Sequence, residues 1–283
     1  MKILITGSYG QLGNEMKVAL QKHADLEVLF TDVDTLDICN KSAVERFFEA
    51  EKPDFIVNCA AYTAVDKAEN DVDLCYKINR DAVEYLAKSA AKIGAKIIHI
   101  STDYVFDGTA NIPYKENLKV CPASIYGKSK AAGEEVLMQN NGENSVIIRT
   151  AWLYSIFGNN FVKTMLRLGA EKEQISVVFD QIGTPTNAAD LANAIVEIIR
   201  AKNFVSGIYH YSNEGVCSWY DFTKAIFELK NLPCEVLPIE SSQYHVPAPR
   251  PHYSVLNKAK IKTTFGIKIP HWRESLMEVL VKL

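Results

Sequence analysis

The sequence of 283 residues lacks any apolar run long enough to cross a membrane, which takes about 20 residues, so no membrane partner is expected. It also lacks an excess of charge of one sign. With 31 basic against 34 acidic residues the formal net charge is -3, and no basic tract with interleaved aromatics occurs, so nucleic acid is not an expected partner. Cysteine is present but unorganised. Cys39, Cys59, Cys75, Cys121, Cys217 and Cys234 form no C-x-x-C pair and have no histidines at zinc spacing, which points to reduced, mostly buried thiols. There is no basic n-region or cleavage site, since Met1 runs straight into Lys-Ile-Leu-Ile-Thr-Gly, and a cytoplasmic location is expected. Internal repeats and low-complexity tracts are missing too.

What the chain does have is alternation. Short apolar runs suited to buried parallel strands recur at Ile3 to Thr6, Glu27 to Thr31, Asp54 to Asn58, Ile97 to Ser101 and Val146 to Thr150. Between them Gln11 to His23, Ser42 to Glu51, Asp71 to Ile93 and Ser129 to Gln139 carry apolar residues at three- and four-residue spacing, the pattern of amphipathic helices. Gly94 is the expected C-cap of the third helix. This order implies crossover helices and an α/β, Rossmann-like doubly wound parallel sheet. After Thr150 the pattern loosens through Gly158 to Asn160, Pro185 and Pro247-Ala-Pro-Arg-Pro251, and a smaller, interleaved C-terminal substrate domain is expected. The expected division is 1–150 as a dinucleotide-binding domain, 180–202 packing back on it through Ala188 to Arg200, and 151–179 with 203–283 mainly as the substrate domain.

Gly7-Ser-Tyr-Gly10-Gln-Leu-Gly13 stands between the first strand and the first helix, where a tight turn and a helix N-terminus together can hold a pyrophosphate. Three glycines also suit a plain turn, and it is the position at the first strand-to-helix junction that favours a dinucleotide. Asp32 closes the second strand at the distance where a carboxylate can bond the adenosine ribose, which favours NAD(H); an ordinary strand-end aspartate is the other reading. Asn58-Cys-Ala-Ala-Tyr-Thr63 ends the third strand in small residues that let a flat cofactor approach the backbone, or simply let helix pack on sheet.

Tyr126-Gly-Lys-Ser-Lys130 sets a phenol and an ammonium four residues apart, on one face if a helix begins here. A free phenol titrates near pH 10 and is a poor proton relay, whereas a nearby lysine cation stabilises the phenolate. Such a pair is common by chance and gains weight from Ser101-Thr-Asp-Tyr-Val-Phe-Asp-Gly108, at the carboxyl edge of the fourth strand, where Thr102 can offer a hydroxyl to a carbonyl or merely satisfy local backbone.

These motifs, in a G-x-x-G-x-x-G spacing, resemble the extended short-chain dehydrogenase/reductase superfamily. Within it the chain is similar almost end to end to the dTDP-4-dehydrorhamnose reductases. The similarity continues through Leu36-Asp-Ile38, Cys59-Ala-Ala-Tyr-Thr-Ala-Val-Asp-Lys-Ala-Glu69, Arg149-Thr-Ala-Trp-Leu-Tyr154, Gly158-Asn-Asn-Phe-Val162, Asp180-Gln-Ile-Gly-Thr-Pro-Thr186 and Arg250-Pro-His-Tyr-Ser254. The resemblance implies that Gly7, Gly10, Gln11, Leu12 and Gly13 cover the pyrophosphate of NADPH or NADH. It implies further that Asp32, Asp37 and Ile38 surround the adenosine and that Ala61, Tyr62 and Thr63 line the cofactor. Tyr126 and Lys130 are the implied catalytic pair, Lys130 also binding the nicotinamide ribose, with Thr102 orienting the carbonyl. Thr102, Asp103, Trp152, Asn160 and Arg250 are the implied contacts to a dTDP-sugar, although Trp152 also suits a core aromatic. The implied reaction reduces the C4 ketone of dTDP-4-dehydro-β-L-rhamnose to dTDP-β-L-rhamnose, the last step in making this sugar donor for surface polysaccharide. Some members hold Mg2+ through glutamates at a subunit interface; Glu15 fits the first such position, no carboxyl-terminal partner is found, and no required metal is expected. A homodimer is compatible with this reading. Two other readings stay open: a nucleotide-sugar epimerase or dehydratase of the same superfamily, and a silent regulator like the methionine adenosyltransferase β subunit, which could dispense with the pair that this chain keeps.

Overall fold

The computed structural model describes all of residues 1–283. Its first half alternates as β1 (Lys2–Thr6), α1 (Gln11–Leu20), β2 (Glu27–Phe30), α2 (Lys41–Glu51), β3 (Phe55–Asn58), the short α3 (Val65–Ala68), α4 (Val72–Tyr76), α5 (Ala82–Ile93), β4 (Lys96–Thr102), α6 (Ile125–Asn141) and β5 (Ser145–Thr150). The second half holds β6 (Leu153–Tyr154), α7 (Phe161–Glu171), β7 (Gln174–Val178), β8 (Ile182–Gly183), β9 (Thr186–Asn187), α8 (Ala188–Arg200) and β10 (Gly207–His210). β11 (Cys217–Ser218), α9 (Trp219–Leu229), β12 (Glu235–Ile239), α10 (Ala259–Phe265) and α11 (Trp272–Lys282) complete it.

Six strands form one parallel sheet in the order β10-β5-β4-β3-β1-β2. Successive side chains along a strand point to opposite faces, so each strand feeds two cores. Ile3, Ile5, Val57, Ile98, Val146 and Ile148 meet Met16 of α1 and Leu191, Ile195 and Ile198 of α8 on one face. Leu4, Ile56, Ile97 and Ile147 meet Val44, Phe48, Leu86 and Leu137 on the other. Each such side chain, fully buried, contributes roughly 1.5–3 kcal/mol. A third cluster, around Val162, Phe222, Ile226, Leu276 and Val279, makes a second lobe of its own.

The stretch 203–283, expected mainly in the second lobe, is shared between the two. β10 extends the large sheet beside β5, and Ile261 and Ile267 pack into the α1/α8 core. Asp71 to Ile93, expected as one helix, is α4 and α5 joined by a π-helical turn at Lys77–Asp81. α6 starts at Ile125, four residues before the expected Ser129, because Ser124 caps it by accepting from the Gly127 N–H at 3.1 Å. Gly94 closes α5 at φ +71°, as a C-cap in the left-handed region does. All six thiols are unpaired; Cys75, Cys217 and Cys234 are buried, while Cys121 is exposed.

Candidate active site

Strand order reverses between β1 and β3, so their carboxyl ends open a crevice, the place where ligands enter doubly wound sheets. Gly7 turns there at φ +64°, and a Cβ on it would come within 2.6 Å of the Ala60 nitrogen, so only glycine lets the two strand ends approach. A Cβ on Gly13 would collide with the backbone of the same loop. Gly10 leads α1 without a side-chain cap, which leaves the first N–H groups of the helix without intrahelical partners. Ser8 Oγ beside them is buried and also unpartnered. Donors held open at a helix N-terminus fit a diphosphate.

Two adjoining clefts share Gly10, Cys59 and Ala61. The smaller, about 270 Å3, is lined by Gly7, Asp32, Asp37 and Ile38. The Asp32 carboxylate accepts from the Tyr9 N–H at 2.8 Å and the Val33 N–H at 2.9 Å, so it braces the glycine loop while facing the cleft. The larger cleft, about 670 Å3, gathers Gln11, Leu12, Thr63, Thr102, Asp103, Tyr126, Lys130, Trp152, Asn160 and Arg250. Tyr62 lines neither cleft. Its hydroxyl turns outward to Asp71 at 2.8 Å, while its backbone N–H and carbonyl are held by the Asn79 side chain.

Asn79 belongs to the π-helical turn, and its amide also donates to Ser129 Oγ at 2.9 Å. Gly133 allows this contact, because a Cβ there would meet the Asn79 carbonyl. Gly127 does the same for Tyr104, whose carbonyl lies where a Cβ would sit. These two close approaches seat α6 so that Tyr126 and Lys130 line the same cleft as Thr102 at the end of β4.

Lys130 is buried, its Nζ donating to the Ile100 carbonyl at 2.7 Å and lying 3.3 Å from His99 Nε2. Burial pushes its pKa down to about 8. For Tyr126 the sequence suggests a pKa lowered by lysine, but in this site burial raises the phenol above its ordinary value, and the Thr102 hydroxyl only partly opposes that. The phenol is thus kept protonated at neutral pH. Thr102 Oγ1 donates to Asp103 Oδ1 at 3.0 Å, and burial pushes the Asp103 carboxyl up to about 6. Asp103 Oδ2 has no partner.

The sugar-side residues differ in how free they are. Trp152 stands at φ +48° and stacks on Trp219 at 3.6 Å, the pair forming one apolar wall. Arg250 donates to Asp66 at 2.7 Å and has a second guanidinium nitrogen, Nη1, buried without a partner. Asn160 caps α7, and its amide donors go to Gln11 and to the Ser155 carbonyl, so it ties the second lobe to α1. Glu15 is buried and accepts from Ser155 Oγ at 2.6 Å, a second tie of the same kind. No cluster of three or more His, Cys, Asp or Glu side chains is arranged to hold a metal ion.

Comparison with known proteins agrees with this architecture. The family model described as RmlD substrate binding domain matches residues 1–283. A dTDP-4-dehydrorhamnose reductase of Clostridium acetobutylicum is 47% identical, with a TM-score of 0.95 and all of both chains covered. The chain belongs to the dTDP-4-dehydrorhamnose reductase family. A second dTDP-4-dehydrorhamnose reductase, from Bacillus anthracis and solved in complex with NADP, is 40% identical with a TM-score of 0.96 over 100% of this chain and 99% of that one. The spore coat polysaccharide biosynthesis protein SpsK of Bacillus subtilis is 44% identical over 99% of this chain and 96% of its own length.

Sequence reasoning missed three parts of this reductase site. Trp219 was signalled only by a capping box, with Ser218 and Asp221 bonding each other's backbone at the start of α9. Asn79 was hidden in a continuous helix pattern. His99, packed against Lys130, reads in the sequence as one polar residue in a strand of isoleucines.

Proposed function

We propose that this chain reduces the C4 ketone of dTDP-4-dehydro-β-L-rhamnose to dTDP-β-L-rhamnose with NADPH or NADH, the closing step in supplying this sugar donor for surface polysaccharide. The observation that carries the reading is that Thr102, Tyr126 and Lys130 line one cleft, which adjoins the glycine-loop cleft at Gly10, Cys59 and Ala61. Bound along that cleft, with its diphosphate at the N-terminus of α1 and its adenosine at Asp32, Asp37 and Ile38, a reduced nicotinamide supplies the hydride that C4 accepts. Tyr126 gives its phenolic proton to the C4 oxygen. Burial keeps that proton in place until a base as strong as an alkoxide develops beside it. Lys130, as a cation, stabilises the tyrosinate left behind. Thr102 directs its one hydroxyl proton to Asp103, so a carbonyl oxygen arriving beside it competes with that carboxylate for the hydrogen bond. Trp152 and Trp219 offer the sugar a flat apolar wall, and the unpartnered Arg250 Nη1 offers its diphosphate a charged donor.

The chain carries no helix long and apolar enough to cross a membrane, and the proposed setting is the cytoplasm, where reduced nicotinamide and nucleotide sugars meet. The test gives purified protein the dTDP-4-keto sugar with each reduced cofactor and follows nicotinamide absorbance. Stoichiometric oxidation is expected. Conversion of the sugar with no net oxidation would mark an epimerase instead, and no conversion with either cofactor would defeat the proposal.

A further inference from the structure

His99 has no exposed surface and sits on β4 behind the site wall. Its ring joins two groups, with Nδ1 3.0 Å from Asn58 Nδ2 and Nε2 3.3 Å from Lys130 Nζ. The orientation of Asn58 is fixed independently of the histidine. Its Oδ1 accepts from Thr6 Oγ1 at 2.7 Å and from the Ala60 N–H at 3.2 Å. A backbone N–H can only donate, so the amide oxygen must face Ala60 and the amide nitrogen must face His99. An amide nitrogen can only donate as well. His99 Nδ1 is therefore the acceptor and carries no proton, and the neutral ring carries its proton on Nε2, aimed at Lys130. An ammonium has three donors and no acceptor, whereas a free amine has a lone pair.

We propose that His99 is a positioning residue for Lys130, its Nε2–H opposing the ammonium and donating to the lysine amine once the lysine has lost its proton. The ring thereby sets the pH at which Lys130 becomes the cation that a neighbouring tyrosinate needs. The other groups around the lysine do not take this role. The Ile100 carbonyl accepts from the amine or the ammonium alike. Glu134, one turn along α6, is clamped by Arg149 at 2.6 and 2.9 Å and makes no contact with Nζ. Cys75 of α4 is a buried thiol whose pKa is raised by burial, and Tyr126 is held protonated. Burial holds the His99 ring neutral and brings Lys130 down to about 8, so the lysine is a cation below that pH and the amine that His99 can donate to above it.

The place of Lys130 in turnover rests on the reductase reading; the tautomer of His99 does not. Two measurements test the proposal. In nitrogen-15 NMR of the ligand-free protein, with the His99 ring assigned through its own backbone, the ring should stay neutral with Nε2 protonated and Nδ1 bare from about pH 6 to about pH 9. A proton on Nδ1, or a charged ring, would overturn the proposal. In pH profiles of kcat/KM, His99→Leu removes the donor that opposes the ammonium and should move the alkaline limb up by about one pH unit. His99→Gln returns an amide N–H to the same place and should bring the limb back toward the wild type. An unmoved limb in the leucine variant, with only kcat lowered, would make His99 a packing residue and defeat the idea. Should neither variant fold, the NMR result on the natural protein still decides. Failure of the reductase reading would appear as no turnover in any of the three proteins, with the tautomer unaffected.

Discussion

Tyr126 and Asp103 are two buried acids whose pKa values are raised by the same cause, loss of water, and they answer to different measurements. For Tyr126 the measurement is rate. Tyr126→Phe should lower kcat by about 10²–10⁴-fold, the usual loss of a general acid, while a fluorescence titration finds NADPH affinity within a few-fold of wild type. For Asp103 it is stability. Its folded-state pKa of about 6 stands above the ordinary 3.8, so between those values the folded chain keeps a proton that the unfolded chain has released. Its contribution is therefore most favourable below about pH 4, declines as pH rises to about 6, and is level above that. Urea melts of Asp103→Asn should show the variant gaining on the wild type by on the order of 1–3 kcal/mol between pH 4 and pH 7. Parallel curves would refute this account of the carboxyl.

Among the elements, α6 shows best what a sequence can and cannot reveal. The five large-sheet strands expected before residue 151 are all present within a residue or so at each end, and α8 runs from Ala188 to Arg200 as expected, because buried parallel strands and an amphipathic helix write their periods into local sequence. The start of α6 was misplaced because Gly127 disfavours a helix by itself. The glycine is there for Tyr104, whose carbonyl a larger residue would strike, and that neighbour is invisible in a linear reading. The π-helical turn is hidden for the same reason, since Asn79 gains its value from Tyr62 and Ser129, which lie far from it in sequence. Within the site, the glycine loop and the Tyr126/Lys130 pair were legible as motifs. His99 and Trp219 acquire meaning only from partners that folding brings to them. Two glycine substitutions separate the cases. Gly127→Ala should cost about 1–3 kcal/mol in denaturant melts and lower kcat together, because displacing the first turn of α6 carries Tyr126 with it. Gly94→Ala, at φ +71° with open space around it, should cost about 1–2 kcal/mol from backbone strain and leave kcat alone.

At the scale of the molecule, the two lobes share one chain by turns. Residues up to β5 build the large sheet, α7 and β7 the second lobe, α8 and β10 the large sheet again, α9 the second lobe, Ile261 and Ile267 the first core, and α11 the second. A fragment ending at residue 150 would expose the edge of β5 and the apolar faces that α8 covers. It should be found aggregated on size-exclusion chromatography, and the whole chain should unfold in one calorimetric transition despite its two lobes. Two separate transitions would mean that the lobes fold independently.

The interleaving also reaches the gene. A single recombination breakpoint exchanges everything on one side of it, yet each lobe of this fold is encoded on both sides of almost any cut after codon 151. A descendant could therefore not acquire a foreign sugar-binding half by one crossover without also acquiring a foreign β10 and α10 for its cofactor half. New sugar specificities in such a lineage are expected to come from point changes in the cleft wall, at positions such as Trp152, Trp219 and Arg250, rather than from swapped lobes.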